Sequence, residues 1–199
     1  MSDASNNCSL RDHVIDTATT LFWRHGYDGV SVGDLVEATG ANRYALYHAF
    51  GDKRGVYLAV LQRYIDDATA MIDEFLKRPD ADPIDAIRDA VIAKMLDPEM
   101  FPAGCLMCTT AVDMAARDED VAAIMQQCNG RIGDAFNRAW EQAQRDQKVS
   151  VDITPTAFAE LAHALYFSTG LQARMGRSRE DLLAALESVC DALRLKSRA

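Results

Sequence analysis

The sequence predicts an all-α chain of about nine helices, a three-helix N-terminal domain followed by a helical body. Three observations carry that expectation. Apolar residues recur at three- and four-residue spacing through almost all of the 199 residues, the period of helices with one buried face. Good N-cap residues open the periodic stretches, and Gly or Pro closes them. Val149-Ser150-Val151 comes nearest to a strand and is too short and isolated to imply a sheet.

The first helix is expected over Ser9–His25. Ser9 with Asp12 resembles a cap, and Val14, Ile15, Ala18, Leu21 and Phe22 form one face before Gly26 stops the helix. Ser31 with Asp34 starts a second, short helix in the manner of a capping box. Leu35, Val36 and Thr39 face inward there, and Gly40 can take the left-handed conformation that ends it. Asn42 caps a third helix, Arg43–Phe50. Asp52 then caps a long fourth helix from Lys53 to about Leu76, and Pro79–Pro83 is the clearest linker. Beyond it the pattern gives helices over Ile84–Leu96, Ala103–Ala116, Asp118 to about Gln147, Thr154-Pro155 to about Met175, and Ser178 to about Lys196. Residues 8–52 are expected to form the N-terminal domain and 53–199 the body.

Residues 31–50 organise the rest. A short helix, a tight Gly turn and a second short helix carrying polar and aromatic side chains read as a helix-turn-helix. Leu46 and Phe50, four apart, point at the core and leave Arg43, Tyr44, Tyr47 and His48 on the outer faces. Taken singly, each has a plainer reading: Tyr47 as a core aromatic, His48 as surface, Lys53 and Arg54 as solvated charges. Their joint arrangement is what points to DNA.

The net charge of -9 argues against nucleic acid until its distribution is considered. Between Arg43 and Arg63 stand Arg43, Lys53, Arg54 and Arg63 against Asp52 alone. A basic end on an acidic body can dock on phosphates, with salt weakening the contact. The polar, acidic start does not resemble a signal peptide, and no run is apolar enough to span a membrane. The five cysteines, Cys8, Cys105, Cys108, Cys128 and Cys190, have no disulfide-framework spacing and suit a reducing cytoplasm.

From about Cys8 to Ala68 the chain resembles the tetracycline-repressor (TetR) family of bacterial transcription regulators. The resemblance rests on Leu21-Phe22, Gly26-Tyr27, Ser31-Val32 with Asp34-Leu35, Gly40, Leu46-Tyr47-His48-Ala49-Phe50 and Asp52-Lys53. Gly104-Cys105-Leu106 with Thr109 is similar to a pattern in one branch of the family. The resemblance implies a homodimeric repressor whose recognition helix binds an inverted-repeat operator in double-stranded DNA and is released by a small-molecule effector. Ser31, Asn42, Arg43, Tyr44, Tyr47, His48 and Lys53 are then the DNA-binding candidates. Arg43 and Tyr44 would face base edges or phosphates, Tyr47 and His48 the sugar-phosphate backbone, and Lys53 a phosphate. Gly33 and Ala45 depart from the family pattern, removing possible phosphate contacts.

In the body, Cys105 and Cys108 sit three apart on one helix face. They suit packing first, then sensing of thiol-reactive compounds, then metal ligation. Sensing requires one of them to be accessible. Phe101, Met125, Phe136, Trp140, His163 and Phe167 join them as candidate ligand lining. No cofactor or metal is expected. The last helix carries a stripe of Leu182, Leu186, Val189 and Leu193. The helix before it carries Phe158, Leu161, Leu165 and Leu171 among small residues, so a two-fold helical interface is expected. No phosphate loop, nucleophile elbow or paired carboxylates support an enzyme. The remaining alternatives are a thiol oxidoreductase built on Cys105 and Cys108, and a helical ligand-binding module without DNA binding.

Overall fold

The structure, a computed structural model, describes residues 2–78, 81–96, 105–149 and 152–197. Among these residues it is all-α, with helices α1 (Ser2–His25), α2 (Val32–Thr39), α3 (Arg43–Phe50), α4 (Lys53–Leu76), α5 (Pro83–Leu96), α6 (Leu106–Asp113), α7 (Glu119–Arg145), α8 (Pro155–Arg174) and α9 (Arg179–Ser197). No helix among them is long and apolar enough to cross a membrane. Each expected helix has a counterpart among the described residues, though the expected start of the sixth at Ala103 lies outside them. The first begins at Ser2 rather than Ser9, since no Gly or Pro interrupts residues 2–9. The sixth ends at Asp113, short of the expected Ala116, where the chain turns before Asp118 caps α7. That aspartate accepts from the amides of Asp120 and Val121, both at 3.1 Å.

The chain forms two compact units. One holds the residues up to Asp66 together with Thr109–Met125; the other holds Asp67–Cys108 and Gln126–Ala199. The first half of α4 belongs to the first unit. The reason is aromatic packing: Phe22 meets Tyr57 edge-on at 4.9 Å, and Trp23 meets Tyr64 at 5.2 Å. Val14, Ala18, Leu35, Leu46 and Val60 complete that core, each at most 4% exposed.

The second unit is a helical bundle in which α5 packs on α8 and α9. Leu182, Leu186 and Cys190 are buried there, and burial pushes the Cys190 thiol up to about 11. Ion pairs fasten the same contact. Arg88 of α5 reaches Glu187 of α9 at 3.3 Å, and Arg194 pairs with Asp85, Glu187 and Asp191. Leu182 and Leu186 of the stripe expected to face a second subunit are therefore spent inside their own chain, while Val189 and Leu193 are half-buried. The apolar face left outside is on α8 and its C-cap, where Leu161, Leu171 and Met175 are 40%, 46% and 77% exposed.

Candidate functional site

The two short helices of the first unit are set by their caps. Ser31 Oγ accepts from the Asp34 amide at 3.1 Å while Asp34 Oδ2 accepts from the Ser31 amide at 2.7 Å, closing the capping box. These bonds, the backbone one first, hold the Asp34 carboxyl below the usual range. Gly40 ends α2 at φ +67°, a conformation open to glycine at no steric cost. Ala41 is buried, and Asn42 Oδ1 accepts from the Ala45 amide at 2.8 Å to start α3. Ser31 and Asn42 thus serve α2 and α3 as caps.

Long-range bonds then pin these helices to α1. Arg11 Nη1 donates to the carbonyl of Ala49 at 2.8 Å, and its guanidinium lies 4.6 Å from the half-buried Phe50 ring. His13 Nε2 meets the Thr39 carbonyl at 3.1 Å. Both contacts occupy carbonyls at helix C-termini, which have no partner within their own helix. Sequence reasoning missed both residues. Their partners are 38 and 26 positions away, and no local pattern records that.

With α3 held this way, Arg43, Tyr44, Tyr47 and His48 are exposed on its outer face. Tyr44 is 79% exposed and stacks on His48, one turn on, with centroids 6.1 Å apart. The other expected cations are spent differently. Lys53 Nζ donates to the carbonyls of Tyr27 and Val30 at 3.0 and 2.9 Å and sits 4.1 Å from the centroid of the Tyr27 ring. Two of its three protons are committed to the α1–α2 turn, so its role is first structural. Arg63 pairs with Asp12 at 3.2 Å. Arg54 makes a bidentate pair with Asp118, 2.6 and 2.7 Å, and also reaches Asp120 at 2.7 Å. The basic stretch seen in sequence is therefore largely neutralised, and Arg43 is its exposed cation on α3.

Two predictions follow from these contacts. Lys53→Ala removes two charge-assisted bonds to carbonyls and should destabilise the first unit by roughly 1.5–3 kcal/mol, read by urea denaturation. An unchanged midpoint would return Lys53 to a purely DNA-facing role. The second concerns acid. Arg54 hydrogen bonds draw the Asp118 carboxyl down to about 2, against burial, with the Val121 amide assisting. Its folded pKa lies below its unfolded one, about 3.9. The stabilisation is therefore full above the unfolded value and lost as pH falls through about 2. The stability gap between the parent and Asp118→Asn should be constant near neutrality and close between about pH 4 and pH 2. A gap independent of pH would remove the ion pair as its cause.

Comparison with known proteins decides the identity. Residues 14–60 match the domain described as bacterial regulatory proteins, tetR family, and 81–189 match the tetracyclin repressor-like C-terminal domain. The chain belongs to the tetR family. It is a helix-turn-helix transcriptional regulator. The transcriptional repressor ComR of Escherichia coli K12 is 32% identical over 175 residues, spanning 87% of this chain and 83% of ComR. NemR, a transcriptional repressor of the same organism, is 22% identical over 185 residues, 90% of this chain and 91% of NemR. Among solved structures, reduced E. coli NemR has a TM-score of 0.81 at 20% identity, over 92% of this chain and 96% of that one. A cysteine mutant of CifR complexed with 26bp operator DNA has the same TM-score at 24% identity and the same coverage. At such identities the structures speak for the fold.

Among the described residues, the candidate ligand lining of this TetR-family chain is divided between the two units. Phe101 lies outside the described residues. Met125 belongs to the first unit and is buried. In the second, Phe136 and Trp140 are fully buried, and Trp140 stacks on Phe158 with centroids 3.9 Å apart. They fill core. His163 and Phe167 meet edge-on at 4.8 Å, and Cys108 Sγ donates to the Phe167 carbonyl at 3.6 Å. Cys105 is fully buried because α8 carries Gly170 opposite it, where a Cβ would stand 2.7 Å from the Cys105 Cβ. The accessible thiol expected of a sensor is thus not Cys105; Cys108 is half-buried. Cys105, Cys108, Cys128 and Cys190 carry no disulfide.

Proposed function

We propose that this protein is a cytoplasmic, homodimeric repressor that binds an inverted-repeat operator and is released by a small-molecule effector. The observation that carries the reading is the outer face of α3. Arg43, Tyr44, Tyr47 and His48 stand exposed there on a helix whose start, end and tilt are fixed by capping and by Arg11. An exposed Arg with planar donors can read guanine O6 and N7 together, and Tyr and His offer contacts to sugar and phosphate. Ser31 and Asn42 cap the two helix starts, and helix N-termini favour phosphate, which supports phosphate contacts there.

The thiol reading is carried by Cys108 alone, in the first turn of α6. Its half-exposure admits a thiol-reactive effector; the buried Cys105 does not serve as the point of attack.

The test is operator selection from genomic fragments, followed by binding isotherms on selected and scrambled duplexes at two salt concentrations. Arg43→Ala should cost about 1–3 kcal/mol on the selected duplex and relax preference at one base pair of each half-site. Half-sites should lie roughly 34–36 Å apart, or a multiple of that. Failure of the parent to bind any duplex at low salt would end the reading.

A further inference from the structure

The second unit contains a cleft of about 610 Å³ between the end of α4, the start of α5 and the C-terminal half of α7. Its size lies within the range of small-molecule sites, roughly 300–1,000 Å³. Among the described residues, none of those expected from sequence to line an effector site borders it. Its floor is made by what the side chains lack. Ala86, Ala135, Ala139 and Ala143 line it beside Leu76 and Pro83, so two helices that would otherwise interlock leave a gap.

The rim has the opposite sign to the chain. Lys77, Arg78, Arg138, Arg145 and Lys148 border the cleft, against Asp73, Glu141 and Asp146, in a protein of net charge -9. Cations at the ends of α4 and α7 suit the negative poles of those helices, which accounts for Lys77, Arg78 and Arg145. Arg138 lies about two turns inside α7 and has no such reason. Asp73 lies 3.9 Å from it and is shared with Lys77 at 2.8 Å. One carboxylate thus serves two cations, with positive charge left over beside an apolar floor.

We infer that this cleft binds an amphipathic organic anion, a carboxylate or sulfonate on a compact apolar body. The acid group lies against Arg138, whose contact with Asp73 is the looser of the two at 3.9 Å, and the body rests on the alanine floor. Planar guanidinium takes such an acid through two parallel bonds, and displacing water from Leu76 and the alanines supplies the apolar part. The site rests on the repressor reading only for its consequence: there, such an acid is the effector.

The experiment is a fluorescence titration of the full chain with anilinonaphthalene sulfonate, followed by competition with decanoate and with decanol. One molecule should bind per chain, displaced by decanoate and about tenfold less well by decanol. Ala139 is half-buried, so Ala139→Trp fills the cleft without disturbing the core and should abolish the signal. Arg138→Gln should weaken the probe about tenfold with unchanged helicity. Absence of binding, equal displacement by decanol, or a signal untouched by Ala139→Trp would each overturn the site. Operator isotherms on the same variants separate the two readings. A chain that binds DNA while Ala139→Trp leaves its probe signal intact keeps the regulator and loses the cleft. One that takes the probe in the cleft and binds no duplex does the reverse.

Discussion

A Leu161→Glu, Leu171→Glu double variant should be monomeric by light scattering and should lose operator affinity by on the order of 10²–10⁴. Along α8 and its C-cap, the side chains of Ala157, Leu161, Ala164, Ser168, Leu171 and Met175 are exposed. Their spacing alternates four and three, the repeat of a helix seam that meets another helix. On α9, Ala184, Ala185, Ser188 and Ala192 are exposed as well, small enough for a second pair of helices to approach closely. A symmetric contact between two such faces buries the same patch on each copy. Placing carboxylates at its centre costs desolvation in the dimer. It costs the single chain little, because both leucines are at least 40% exposed there. Helicity should therefore be retained while the assembly is lost. Two recognition helices on one dimer share a single binding event, so the monomer forfeits the second half-site. A double variant that stays dimeric, or a monomer that binds the operator undiminished, would sink this account.

The same leucines show where sequence reading stopped. The N-terminal unit was legible almost residue by residue because its determinants are local: Ser31 with Asp34, Gly40, and Asn42 with Ala45 each act within four positions. Helical period revealed both α8 and α9 as apolar, but period alone cannot say which apolar side meets its own chain. Arg88 and Arg194 bind α9 to α5, turning Leu182 and Leu186 inward, and those partners lie roughly a hundred positions apart in the chain. Charge misled for the same reason. Arg54 looked available for phosphate until Asp118, 64 residues on, took its guanidinium. The cleft beside α7 left no signal, since an alanine that lines a cavity and one that lets helices touch have the same periodicity.

Trp140→Ala should lower stability by about 3–5 kcal/mol, a fall in Tm on the order of 10 °C for a chain of this length. The sequence placed Trp140 with Phe136 on a ligand wall, and the two roles predict opposite results. A pocket-lining indole faces space, so truncating it widens the pocket at small cost. Here the indole is fully buried and lies parallel to Phe158, 8° between planes. Its Nε1 donates to the Ile153 carbonyl at 3.0 Å, an oxygen that also accepts from Gln144 Nε2 at 2.8 Å. Truncation therefore leaves a void beside Phe158 and removes one donor from the turn that leads into α8. Trp140→Phe separates the two losses, because it keeps most of the ring and forfeits the hydrogen bond, worth about 1 kcal/mol. Urea unfolding followed by circular dichroism is the measurement, with the dependence on denaturant compared among the three proteins. A Trp140→Ala chain as stable as its parent would restore Trp140 to the pocket wall.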